Sequence, residues 1–198
     1  MDGPEDVKIS SQLEEWLQSD GKKTIGNLVD TFGPRSFAIL FMVLLALPAL
    51  PLPTGAVSHA LEVVAMLLAL ELIVGRDEVW IPERFQDKEL KGVTGPKFTK
   101  ALLKRIRWFE KFSKPRMARL LEHRLTGVVF GAAVFAFTLT AFLAPPFSGL
   151  DTLPSIGVVV LSLGILLGDI AIAGVGMGIG TVGVTLVVGL GKAVTKLF

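Results

Sequence analysis

His59 and Glu62 stand three residues apart in an otherwise apolar stretch, the spacing that puts two side chains on one face of a helix. An imidazole changes charge in the physiological range, and a carboxylate hydrogen-bonded to it can relay a proton. Three further acids lie in or beside apolar runs. Glu71 falls nine residues past Glu62, about half a turn away in azimuth on a straight helix, while Asp151 and Asp169 flank a later run. A carboxylate at membrane depth is costly enough to need a reason. Glu62, His59 and Glu71 are therefore the candidate polar site. Glu71 also lies within reach of Arg76 or of lipid headgroups, and Asp151 and Asp169 read most simply as helix caps or interface residues. Arg35 follows Gly33-Pro34 at the mouth of an apolar run, placed either to contact a lipid phosphate or to snorkel to the surface.

Other chemistries find no residues. The 198-residue chain has no cysteine and only two histidines, which removes disulfides, thiolate chemistry and His-rich metal sites, so no metal or cofactor is expected. No nucleophile, base and orienting group can be assembled from its spacing, and an intramembrane enzyme is the least favoured reading. The run Gly174-Val175-Gly176-Met177-Gly178-Ile179-Gly180 lacks the strand, helix and following acid of a nucleotide loop, and reads as a helix packed through small residues.

The elements that must carry these residues are set by where charge is missing. Hydrophobic residues make up 51% and charged ones 19%, with a mean hydropathy of +0.61, too little polar material to clothe a soluble domain of this size. No Asp, Glu, Lys or Arg occurs over 36–61 or over 125–150, two gaps of 26 residues each, with shorter gaps at 152–168 and 170–191. A span needs roughly 20 apolar residues, so each long gap exceeds one helix and falls short of two. Prolines explain that length: Pro48, Pro51 and Pro53 break the first gap, Pro145 and Pro146 the second, and each gap becomes a hairpin. The limb from Ser36 to about Leu47 covers only about 18 Å, which predicts a re-entrant or broken helix. A shift of 93 residues lays Pro53 on Pro146, Leu50 on Leu143, and Leu72-Ile73-Val74-Gly75 on Ile165-Leu166-Leu167-Gly168, the signature of an internal repeat.

The fold expected is an all-α integral membrane protein of two proline-broken hairpins related by that repeat, with amphipathic helices at the interface. Residues 1–35 hold two such helices, one bearing Ile9, Leu13, Trp16 and Leu17 with Ser11 and Glu14 spaced as a capping box. The other runs from Thr24 to Gly33 with Ile25, Leu28, Val29 and Phe32. The first hairpin is 36–75 with its turn at 48–55, and the second is 125–169 with its turn at 145–149. Residues 170–198 form a Gly-rich membrane segment, either a fifth span or re-entrant. Segment 76–124 has 14 Lys and Arg against 7 Asp and Glu, a net +7, which places it and the N-terminus in the cytoplasm. Within it Lys97, Lys100, Lys104, Arg107, Lys111 and Lys114 recur opposite Phe98, Leu102, Ile106, Phe109 and Phe112, the two faces of a helix lying on an anionic leaflet. Lys100, Lys104, Arg107, Arg76 and Arg35 are the candidate lipid contacts, and nucleic acid is not an expected partner. A homo-oligomer is expected, since so small a bundle can hardly enclose a path alone.

The sequence from Gly33-Pro34-Arg35-Ser36 through the proline turn at 45–55, then Leu70-Glu71-Leu72-Ile73-Val74-Gly75-Arg76 and Val79-Trp80-Ile81-Pro82, resembles the ExoD family of bacterial exopolysaccharide synthesis proteins. The resemblance covers roughly residues 9 to 190. It implies a multi-pass protein of the bacterial inner membrane linked to exopolysaccharide production, and brings no established reaction or catalytic residue. Two roles fit: transporting or accommodating a lipid-linked saccharide, a lipid or an ion, or serving as a non-enzymatic assembly or regulatory partner of a polysaccharide-synthesis complex.

Overall fold

The computed structural model describes residues 8–19, 22–50, 56–87, 96–113, 124–145 and 148–197; Pro51, Pro53, Pro146 and Lys114 lie outside them. Among the described residues the chain is all helix, with no strand. Small helices gather at one end. Helix α1 (Ile9–Gln18) buries Ile9, Leu13 and Trp16, and α2 (Ile25–Phe32) buries Leu28, Val29 and Phe32, as their apolar stripes predict. Thr24 caps α2 by accepting the Asn27 N–H at 3.2 Å. The capping box expected at Ser11 is absent: α1 starts three residues earlier, with Lys8 as its N-cap, because Ile9 is drawn into the buried cluster.

Next come α3 (Arg35–Leu45), α4 (Ala56–Ile73), the single turn α5 (Glu83–Gln86), α6 (Pro96–Glu110), α7 (Arg124–Leu143), α8 (Thr152–Leu167) and α9 (Ile170–Leu197). Among the described residues three helices are long and apolar enough to cross a membrane: α4, α7 and, over Ile170–Ala193, α9. Their outward residues include Val63, Val64 and Leu67 on α4, Val129, Leu139 and Leu143 on α7, and Val175, Val182 and Leu186 on α9, all exposed. So continuous an apolar skin suits lipid rather than water. The last helix runs unbroken for 28 residues, which favours a full span over a re-entrant C-terminal segment.

Four helices form a closed ring: α3 packs on α4, α4 on α7, α7 on α8, and α8 back on α3. The ring member α3 is only 11 residues, about 16 Å, too short to cross. It is apolar on every side, and a helix of that kind is stable only when enclosed; Phe37, Ala38, Ile39, Leu40, Phe41 and Met42 are all buried. It ends at Leu45 because Pro48 has no N–H to continue the ladder. A turn replaces it, in which Ala49 donates to the Leu45 carbonyl at 2.9 Å and Leu50 to that of Leu47 at 3.0 Å.

Glycines set how closely α8 and α9 approach. A Cβ on Gly157 would lie 2.4 Å from the Gly180 Cα, one on Gly164 2.2 Å from the Ala173 nitrogen, and one on Gly176 2.2 Å from the Leu161 nitrogen. Gly174 and Gly178 face open space. The alternating glycines thus divide between two faces of one helix, which is why a strand-like period appears in a helical segment.

Candidate functional site

Inside the ring, α4 presents one stripe: Ser58, Glu62, Ala65, Ala69 and Leu72 are its buried residues. Glu62 is fully buried and its Oε2 lies 3.0 Å from Nδ1 of His59, which is 30% exposed and so joins the carboxylate to the surface. The i, i+3 pair predicted from spacing is therefore formed. Its other oxygen, Oε1, has no hydrogen-bond partner. The His59 ring packs against Phe142 at 5.2 Å, and Asp151 is near enough for its charge to act on Glu62. Asp151 stands at the N-terminus of α8 and makes no capping bond with its side chain. Asp169 does cap: it is buried, and its Oδ1 accepts the Ala171 N–H at 2.9 Å.

Antiparallel packing of α4 and α7 fixes what faces Glu62. Gly127 meets Leu72, Gly131 meets Ala69 and Leu72, and Phe142 meets His59, and helical periodicity puts 138 on the stripe that these three define. One turn inward from the His59–Phe142 contact lies Glu62 on α4 and Thr138 on α7. Thr138 is fully buried, and its Oγ1 has no partner. On α8 the residues meeting α9 are Pro154, Gly157, Leu161 and Gly164, and Ser155 and Ser162 lie on a different stripe; both are fully buried with unpartnered hydroxyls. No spacing rule singles out these hydroxyls in the sequence. A lone Ser or Thr in an apolar helix carries little signal, although the 93-residue shift does lay Ser155 on Glu62 and Ser162 on Ala69.

Depth along the ring follows from helix rise. Measured from the end where α3 begins, Leu45 lies about 15 Å deep, Glu62 about 16 Å, Ser155 about 18 Å and Thr138 about 21 Å. The truncated end of α3 and three unpaired oxygens thus fall within a band of about 6 Å. Nearer the α3 start, Phe41 and Phe130 meet edge to face at 5.5 Å. Toward the opposite side, His59 is the partly exposed neighbour of Glu62.

The remaining candidates stand elsewhere. Glu71 does not join Glu62: its Oε2 accepts the Trp80 N–H at 2.8 Å, and Arg76 lies over the Trp80 ring at 5.7 Å. Together they fold the exit of α4 back on itself after Gly75, whose φ of +87° suits a residue without a side chain. Glu71→Ala should loosen this exit by about 1 kcal/mol through loss of a charge-assisted bond, read as faster proteolysis between 76 and 82; an unchanged cleavage rate would remove the anchoring role. Pro48 is buried in the turn after α3, and Pro145 is exposed just beyond α7. Arg35 is exposed at the start of α3. On α6, Leu103 and Ile106 are buried against the small helices, Lys100 and Lys104 are exposed, and Arg107 is ion-paired with Glu14 of α1. Ser10 fixes the same junction, donating from N and Oγ to the two Glu110 oxygens at 2.8 and 2.6 Å. Phe112, expected on the apolar face, is exposed together with Trp108, because α6 ends at Glu110 and the chain turns there. No group of three or more His, Cys, Asp and Glu residues suited to a metal ion occurs among the described residues.

The chain is similar to an uncharacterized protein of Synechocystis sp. (strain ATCC 27184 / PCC 6803 / Kazusa), slr1875, at 26% identity over 174 residues, 86% of this chain and 81% of that one. No solved structure gives a significant match. The family described as "Exopolysaccharide synthesis, ExoD" matches residues 9–189. The whole ring, its capping helices and most of the glycine-packed last helix fall within that match, and the chain belongs to the ExoD family.

Proposed function

We propose that this protein works as a transport-type component of exopolysaccharide synthesis in the bacterial inner membrane, moving or accommodating a lipid-linked saccharide, a lipid or an ion. The observation that carries this reading is the enclosed half-length helix α3 ending at the level of a buried, half-satisfied Glu62. Broken helices ending at a polar midplane level are a recurring transporter arrangement. A re-entrant α3 and a duplicated plan belong to the same reading. In support, Phe37, Phe41, Leu45, Glu62, Ala65 and Ala69 are buried, and so are Phe130, Val134, Thr138, Ser155, Val158 and Ser162, each 93 residues on. Exchanging α3 with α7 and α4 with α8 also leaves the order of helices around the ring unchanged. Phe41 and Phe130 would then act as the closed gate beneath the site.

The capping helices would lie on the cytoplasmic face, where the basic segment seeks anionic lipid and the exposed Trp108 and Phe112 enter the headgroup region. The outward Gly174 and Gly178 offer a close-packing face for a second copy.

The exposed basic surface of α6 favours one other reading, a docking partner of the polysaccharide machinery. The two separate by exopolysaccharide output from cells whose own copy is replaced by variants. In the transport reading Glu62→Gln lowers output. If instead K100E/K104E/R107E abolishes output and Glu62→Gln is silent in well-folded protein, the docking reading takes its place.

A further inference from the structure

Three buried oxygens within this band of about 6 Å lack any hydrogen-bond partner, Glu62 Oε1, Thr138 Oγ1 and Ser155 Oγ, and the unpartnered Thr152 Oγ1 lies at its outer edge. Leaving such groups dry is expensive, of the order of 1–3 kcal/mol each and more for a charged group. None of them is hydrogen-bonded to either of the others. What they have in common is chemistry. All three are hard oxygen donors, one carrying a negative charge and two neutral.

We infer that Glu62, Thr138 and Ser155 form a binding site for a single alkali-metal cation, of the sodium class, at the broken end of α3. A monovalent ion suits one carboxylate and two hydroxyls. One carboxylate balances the charge of a monovalent ion and would leave a divalent one half uncompensated in a buried place, and softer metals prefer thiolate or imidazole. The C-terminal end of α3 lies at this depth and directs the negative pole of its dipole there, adding attraction for a cation. His59 holds Oε2 at 3.0 Å and thereby leaves Oε1 for the ion. The charged and titratable groups bearing on Glu62 are His59 on its own helix and Asp151 at the start of α8. Phe41 and Phe130 pack edge to face on the side of the α3 start. This assignment deepens the transport reading and rests on it for its purpose: the ion is either the cargo or the coupling ion of a larger one.

The test is thermal unfolding of the full-length protein in lipid nanodiscs, in sodium chloride against choline chloride at equal ionic strength. Sodium should raise Tm in a saturable, concentration-dependent way, since a ligand bound only by the folded state stabilises it. Thr138→Val and Ser155→Ala, close in volume to the native side chains, should each weaken the apparent sodium affinity about tenfold. Glu62→Gln should abolish the sodium-dependent shift while remaining folded in choline. Equal Tm in both salts, or a sodium shift that survives in Glu62→Gln, overturns the site. A Tm that follows pH and ignores sodium and potassium overturns it too, and makes the ligand a proton. The transport reading fails separately. Sodium binding by a protein that moves nothing in vesicles leaves the site and removes transport, and sodium-independent flux does the reverse.

Discussion

Glu62→Gln is expected to leave the protein folded, with Tm in sodium-free buffer equal to or above that of the native chain, while exopolysaccharide output falls at least tenfold. The two halves of this result have one cause. A carboxylate placed at the centre of a membrane helix costs about 2.5–3.5 kcal/mol on insertion scales, and this one has an oxygen that no protein group satisfies. Gln has nearly the same volume, keeps an oxygen for His59 and removes the charge, so the fold gains if it changes at all. If Glu62 were a structural member of a paired network, breaking that network would instead destabilise by about 3–5 kcal/mol. Tm and output therefore move in opposite directions in a functional site and together in a structural one. His59→Ala serves as a companion variant: it frees Oε2 and should lower Tm, since both carboxylate oxygens would then be buried without a partner.

The second large effect is on packing. Gly176→Ala and Gly164→Ala should each destabilise the protein by about 1–3 kcal/mol, because the added methyl lands on backbone atoms that a rotamer change cannot move. At Gly176 it would lie 2.2 Å from the Leu161 nitrogen, and at Gly164 2.2 Å from that of Ala173, so α8 and α9 must separate along their length. Gly178→Ala, two residues from Gly176 and facing open space, should be neutral or stabilising by up to about 1 kcal/mol, the helix-propensity gain of Ala over Gly. Thermal unfolding of the three variants in the same lipid decides it. A Gly178→Ala variant as damaged as Gly176→Ala would mean that the outward face is also packed, by a second copy.

Much of this architecture was legible because prolines and charges punctuate the chain. The breaks at Pro48 and Pro145 and the helical spacing of His59 and Glu62 needed no coordinates. The amphipathic stripes of α1 and α2 named the residues they bury. The apolar helices were harder for a physical reason. When lipid covers one side and protein the other, both faces are apolar, and periodicity no longer tells inside from outside. Thr138, Ser155 and Ser162 were invisible on that account, and only the ring order and the glycine contacts reveal which way they face. Glu71 was the converse case. Its acid in an apolar run is as conspicuous as Glu62, yet its position near the end of α4 lets it reach the Trp80 backbone, a loop contact no spacing rule anticipates. The dual use of alternating glycines, one set inward and one outward, was equally hidden until α8 was seen to lie within van der Waals distance of one set alone.

The claim on which all of this turns is that the level of Glu62 is a working passage and not a packing accident. Purified protein in sealed lipid vesicles, assayed for movement of sodium, of a labelled lipid and of a labelled lipid-linked saccharide, addresses it directly. Movement of at least one of these above protein-free vesicles, lost in Glu62→Gln at equal incorporation, is the predicted result; Glu62→Gln vesicles that match the native protein, or native vesicles that move none of the three, would contradict it.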